Sequence, residues 1–303
     1  MKIRIHHQLS LPIGTGAARA VEHVLLTPLS GPTQTIREWT LDLPGMETAA
    51  RFVDAFGNRV ILVNQTRPEG DLVFAVDGIV ETIDRNGVLG RVLGEPVVAL
   101  YRRRTPLTMP DASFVDQFAD RDRTGPARIA LLHAIMEGLK ARYRFGEAVA
   151  VAEPAADTPP TQSQSQSMGG MTQSQGFDGQ SQSLGSGDAT DEATPDTREP
   201  RDAAGFAHAF IATARALDIP ARYVTGYLAG DDEQPAAFHA WAEAYDDALG
   251  WIGFDAALGY CPTDRHVRLA AGLDALSTQA VRIVPDLGAQ TLLALSVEGA
   301  QQT

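Results

Sequence analysis

Over roughly the first hundred residues, apolar and polar side chains alternate with a period near two, in short runs broken by turn residues. KIRIHHQLSL, TIREWTLDL, RFVDAFGNRVILVNQT and LVFAVDGIVETI carry the pattern, and Gly57-Asn58 and Asn86-Gly87 are turn signals of the hairpin kind. An antiparallel β domain over residues 1–115 is the expectation. The period then changes. PARIALLHAIMEGLKARYRF places Ile129, Leu132, Ile135, Met136 and Leu139 on one face, with Pro126 suited to a first helical turn. A second helix carries Phe206, Phe210, Ile211, Ala214 and Leu217 along one side and ends before Pro220. ARYVTGYLA, HAWAEAYDD and GWIGFDA then read as three strands, and QAVRIVPDL and QTLLALSVEG as further strands closing the same sheet. Residues 116–150 and 201–303 are thus expected to form a core of helices packed on an antiparallel sheet. The fold class is α+β.

Between the two helices the periodicity vanishes. Residues 151–200 are rich in Gln, Ser, Gly, Thr and Pro and hold eight acidic residues against one basic, about half of the net charge of −13. Such a segment has almost nothing to bury and reads as a disordered, solvated insertion. The acidic balance argues against a nucleic-acid or membrane partner, since both need clustered Lys and Arg. Arg102-Arg103-Arg104 is too short to reverse this and reads as a solvated strand end. The first residues lack the apolar stretch of a secretory signal, and no run of about 18 apolar residues occurs. One cysteine, Cys261, permits no internal disulfide and no Cys-rich zinc site, so the cytoplasm is the expected location. No cofactor is indicated, and the oligomeric state stays open.

Candidate chemistry gathers between Ala203 and Asp255. A thiol nucleophile needs a helix N-terminus to favour the thiolate, an imidazole to exchange its proton and a carboxylate to orient the ring. His239 opens one strand-like segment, and Asp255 closes another 16 residues on, a spacing that suits adjacent antiparallel strands joined near Gly250. The runs ALDIPARYVTGYL, HAWAEAY and GWIGFDAALGYCPTDRHVRLAAGLD resemble the bacterial transglutaminase-like family, a branch of the papain-like cysteine-enzyme superfamily, and the N-terminal β region is similar to the β domain preceding its core. In that family the helix opens with Gly-Val-Cys-Gln-Asp-Phe-Ala-His, and the cysteine is the nucleophile. Setting its Phe-Ala-His on Phe206-Ala207-His208 puts alanine, Ala203, at the cysteine position and Ala204 at the glutamine. The resemblance assigns the catalytic histidine to His239 and the aspartate to Asp255, where Asp-Ala-Ala replaces the usual Asp-Pro-Thr.

The resemblance therefore implies a transglutaminase-like protein without its nucleophile. A methyl group cannot form an acyl intermediate, so the family's amide transfer or hydrolysis is expected to be absent, leaving a non-catalytic site that binds a peptide or protein carrying amide groups. The alternatives are an active amidase or peptidase using water activated by His239, and a purely structural, complex-forming subunit. Cys261 does not read as a relocated nucleophile. A metal site from His239, Asp255, Cys261 and His266 matches no ligand spacing, so no metal is expected. Trp241 is a candidate substrate-binding pocket wall, and Trp251 a core or wall aromatic. Arg222 is expected to pair with a carboxylate, His208 to pack or hydrogen-bond, and His6-His7 to form a solvated pair.

Overall fold

The structure is a computed structural model of the 303-residue chain. It describes residues 1–12, 18–68, 70–91, 96–146, 196–232, 234–285 and 290–300. The first half supplies strands β1 (Lys2–Leu11), β2 (Arg19–Thr27), β3 (Gln34–Asp42), β4 (Ala50–Val53), β5 (Arg59–Thr66), β6 (Leu72–Thr82) and β7 (Val88–Gly90), then the short helix α1 (Ala112–Val115) and the long helix α2 (Gly125–Arg142). Next come β8 (Tyr143–Phe145), β9 (Glu199–Arg201), helix α3 (Ala203–Ala216), β10 (Ala221–Leu228), β11 (Ala237–Asp246), β12 (Gly250–Phe254), β13 (His266–Gly272), β14 (Val281–Val284) and β15 (Thr291–Ala300). Most of the tract expected to be disordered lies outside the described residues. Its last residues do not: Glu199 and Pro200 belong to β9, which runs parallel to β8 with Arg201 opposite Phe145.

Two antiparallel sheets, ordered β15-β1-β6-β3 and β14-β2-β5-β4, face each other across an apolar core. Period-two alternation builds it: Ile3 and Ile5 of β1, Val24 and Leu26 of β2 and Phe74 and Val76 of β6 all turn inward. Burying each contributes roughly 2 kcal/mol against leaving it in water. A third antiparallel sheet, β13-β10-β11-β12-β7, carries α2 and α3 on one face. Phe210 of α3 stacks on Phe254 of β12 at 5.0 Å, and Leu132, Ile135, Met136 and Leu139 of α2 join the same core. The two cores lie in one compact unit, because Tyr227, Val267 and Leu269 of the third sheet reach into the sandwich core.

The expectation that the last two runs close the sheet of His239 is not met. β14 pairs with β2 and β15 with β1, so both belong to the N-terminal sandwich. Conversely β7, from the first half, becomes the edge of the third sheet beside β12. Alternation specifies a strand and its faces but not its partner. The β7–β12 approach needs glycine on both sides: Gly90 and Gly250 have positive φ, and a Cβ on Gly250 would sit 2.3 Å from the Gly90 carbonyl carbon.

Two smaller expectations also change. Arg102 ends a 3₁₀ turn at Val98–Arg102, not a strand, and pairs with Asp218 at 3.1 Å. Of the two adjacent histidines only His6 is solvated, beside Asp77. His7 is buried with its Nδ1 3.0 Å from the Tyr227 hydroxyl, because the alternation that turns Ile3, Ile5 and Leu9 inward turns it inward too.

Candidate functional site

Helix α3 begins where Asp202 caps it, the carboxylate accepting from the Gly205 N–H at 2.7 Å. Ala203 is therefore the first helical residue, at the end where backbone N–H groups and the helix dipole favour negative charge. Phe206, Phe210 and Ile211 anchor the helix on the third sheet and fix that end against β10 and β11. A cleft of about 830 Å³ opens there, lined by Ala203 and Asp202 of the helix start, His239 and Phe238 of β11, Tyr223 and Thr225 of β10, and the turn around Ala275. The wall is tied down by two contacts: Thr225 Oγ1 donates to Thr278 Oγ1 at 2.7 Å, and the Ala275 N–H donates to His208 Nε2 at 3.1 Å. His208 in turn stacks on Tyr223 at 4.8 Å, which gives this residue the packing and hydrogen-bonding role expected of it.

His239 and Asp255 meet as the spacing along β11 and β12 predicts. Asp255 Oδ2 lies 2.6 Å from His239 Nε2, with both side chains almost fully buried. A third residue joins them: His266, at the start of β13, places Nε2 3.1 Å from the same oxygen. Backbone contacts hold the carboxylate in place, since its Oδ1 accepts from Leu258 N–H and the turn at 256–259 closes on the Asp255 carbonyl. Burial alone would raise the Asp255 pKa, but the hydrogen bonds from the two histidines, joined by their charges when the rings are protonated, outweigh it and hold it down to about 2. An ionised carboxylate only accepts, so both Nε2 atoms carry hydrogen. His266 Nδ1 then accepts from Thr263 N–H at 3.1 Å, which pins that ring. The other ring nitrogen of His239, Nδ1, is not engaged by Asp255. Burial pulls the His266 pKa down against the opposing pull of Asp255.

Sequence reasoning noticed His266 only as a conceivable metal ligand and missed its place beside Asp255. The signal was the turn-forming Gly259-Tyr-Cys-Pro262 between the two, which folds the chain back on itself. The ligand-type atoms of His239, Asp255 and His266 do lie within 4.8 Å of one another, the dimension of a metal centre. Their contacts are nonetheless of hydrogen-bond length, and a cation bridging them would have to displace both N–H protons. Cys261 lies apart from the cleft lining, against Gly87, and burial followed by the Asp84 charge pushes its thiol pKa up, the wrong direction for a nucleophile.

Trp241 does not form the wall of the cleft as the sequence suggested. Two residues along β11 from His239, it shares that face but is buried behind the histidines, 6.4 Å from the ring of His239 and edge-on to His266 at 5.3 Å. Gly226 makes room for it, since a Cβ there would meet the indole at 2.6 Å. Trp251 is a core aromatic under Arg222, whose guanidinium stands 3.9 Å from its ring centroid while pairing with Glu243.

An α+β fold whose helix N-terminus faces a buried His-Asp pair across a cleft is the papain-like arrangement. Residues 3–81 match the family model of the bacterial transglutaminase-like N-terminal region, and residues 149–256 that of the transglutaminase-like superfamily, a span that includes Ala203, His239 and Asp255. The chain belongs to the transglutaminase-like superfamily. It is similar over 100% of its length to 92% of a solved chain from Cytophaga hutchinsonii described as a "Putative Cysteine Protease", with a TM-score of 0.63 and 20% identity. The periplasmic domain of TgpA from Pseudomonas aeruginosa aligns with 85% of this chain over 87% of its own, at 15% identity and a TM-score of 0.34. No curated protein matches. Among the described residues no helix is long and apolar enough to cross a membrane.

Proposed function

We propose that this protein binds an amide-bearing peptide or protein segment in the cleft between Ala203 and His239 without transferring or hydrolysing it. The observation that carries the reading is that Ala203 occupies the first helical position in the cleft that His239 lines. In the Cys-containing arrangement of the superfamily, sulfur attacks the amide carbon, the histidine protonates the leaving amine, and an acyl-enzyme forms. The methyl of Ala203 has no lone pair to open that sequence. What remains is recognition: the helix N-terminus offers N–H donors to an amide carbonyl, and His239 Nδ1 accepts from an amide N–H. Asp255 and His266 keep the ring in that orientation. With one cysteine the chain forms no internal disulfide, which suits a cytoplasmic location.

The test incubates the purified full chain with glutamine-containing peptides, with and without a primary amine. No ammonia release, no amine incorporation and no peptide cleavage are expected, while the same peptides raise the melting temperature by mass action. Ala203→Cys alone is expected to give weak or no activity, because Ala204 and the Asp255-Ala256-Ala257 run also depart from the family pattern. Hydrolysis by the wild type that vanishes in His239→Ala would overturn the reading in favour of a water-using amidase. A covalent adduct on Cys261 that tracks activity would overturn it equally.

A further inference from the structure

The cleft does not end at Phe145. This half-exposed ring stands edge-on to His239 at 6.3 Å and also lines a second hollow, of about 550 Å³. The chemistry there differs. Where the first cleft offers alanines, threonines and glutamines, the second is built around Lys140 and Arg265, with Tyr260, Thr263 and Gln234 as neutral polar neighbours. Lys140 is fixed in place: its Nζ donates to the Leu258 carbonyl at 2.9 Å, and its chain lies across Gly259, where a Cβ would meet the ammonium at 2.7 Å. That turn directly follows Asp255, so the anchored charge is built onto the segment that holds the His239 partner. Arg265 is engaged by the Ala229 carbonyl and by Asp231, the one carboxylate among the described residues lining the hollow. Among the described residues no carboxylate lies within ion-pair distance of Lys140 Nζ, which has donors to spare after its bond to Leu258. Over its described lining the hollow holds two cations, Lys140 and Arg265, against one carboxylate, Asp231, which stands out in a chain of net charge −13.

We infer that the ligand of the cleft is an acidic peptide, lying over Phe145 with its amide-bearing residue beside His239 and a carboxylate seated at Lys140 in the second hollow. This rests on the reading of the cleft as a peptide site. Hydrogen bonds from an ammonium to a carboxylate are the stronger class, so the charge gives selection as well as affinity. Phe145 serves as the ridge over which the backbone passes, contributing apolar contact between the two polar anchor points.

The experiment measures fluorescence anisotropy of the full chain with a set of labelled, end-blocked peptides. Each has one glutamine in a Gly/Ala background and one glutamate placed one, two or three residues to either side; controls replace that glutamate by a second glutamine. At least one spacing is expected to bind about tenfold tighter than its neutral control, with the difference shrinking as salt rises. Lys140→Gln should erase the difference while leaving the neutral peptide's affinity in place, and Lys140→Arg should largely restore it. Circular dichroism melting checks that both variants fold. Equal affinities for acidic and neutral peptides, or a Lys140→Gln change that weakens both alike, overturns the acidic-ligand inference alone. Absence of binding by every peptide overturns the peptide-site reading and this inference with it.

Discussion

His7 faces inward from β1 against the Tyr227 hydroxyl, and burial, with a smaller push from His6, lowers its pKa to about 4 from 6.5. Between those values the unfolded chain binds a proton the native state refuses, so stability rises with pH across the window and is lost as pH falls. The shift corresponds to about 3 kcal/mol. Glu22 works in the opposite sense. Fully buried, with Oε1 accepting from Gln65 and Oε2 without a partner among the described residues, it is pushed by burial up to about 7 from 4.5, so its share of stability is lost as pH rises through that range. Urea unfolding at a series of pH values separates the two. His7→Gln is expected to gain on the wild type as pH drops from 6.5 to 4, and Glu22→Gln to gain as pH climbs from 4.5 to 8, each by up to about 3 kcal/mol. Parallel curves for variant and wild type would refute the burial argument. His7 was legible in the alternation of its strand and was misplaced by reading residue type instead of period. The union of His239 with Asp255 was legible from spacing, whereas the seat of His266 depended on a loop path that spacing does not contain.

The same limit shows between elements. Arg222 of β10 and Glu243 of β11 are register partners in the third sheet, and Glu243 also accepts from Arg268 of β13 at 2.9 Å. Burial would raise the Glu243 pKa, but the two guanidinium charges outweigh it and hold it low. That the arginine would seek a carboxylate could be read from the sequence; which carboxylate followed only from register. With Arg222 pressed against Trp251, one acidic side chain pairs with two cations and ties three strands beneath the site. Removing one member of a buried ionic cluster strands the others. Glu243→Gln is therefore expected to cost about 3–5 kcal/mol in chemical denaturation. An exposed pair such as Arg37–Glu81 serves as control, with Glu81→Gln expected to leave the denaturation midpoint close to that of the wild type. A small loss in Glu243→Gln would mean that water reaches the cluster. Helix α3 was the most legible element, because its apolar stripe and the Pro220 stop are local; its N-cap, Asp202, was not singled out although it sets where Ala203 points.

At the scale of the molecule, the division drawn from sequence fails at the chain's far end. Composition and period place a boundary near residue 115, yet the sandwich on the first side of it is completed by β14 and β15, from beyond residue 280, and β7 crosses to the sheet on the other side. Partner choice is a long-range property: edge strands accept whichever segment the chain path delivers, and nothing in VRIV or TLLALSVEGA names β2 or β1 as its mate. The exchange makes the cleft dependent on both halves, because Gln279, Ala280 and Gln290, which lie along its wall, belong to the segments leading into β14 and β15. It also predicts the behaviour of a fragment. Residues 1–115 expressed alone carry β1 and β2 with their outer edges bare and the apolar faces of Ile3, Ile5 and Val24 short of the cover that Val281, Ile283 and Val297 provide. Uncovered edges and a half-closed core favour association over folding. The fragment is expected to show no cooperative thermal transition and to aggregate, while the full chain melts as one unit. Adding residues 279–300 in trans or through a linker should restore the transition. A fragment 1–115 that unfolded sharply and stayed monomeric would show that the borrowed strands are dispensable, and with it that the cleft wall can detach from the sandwich.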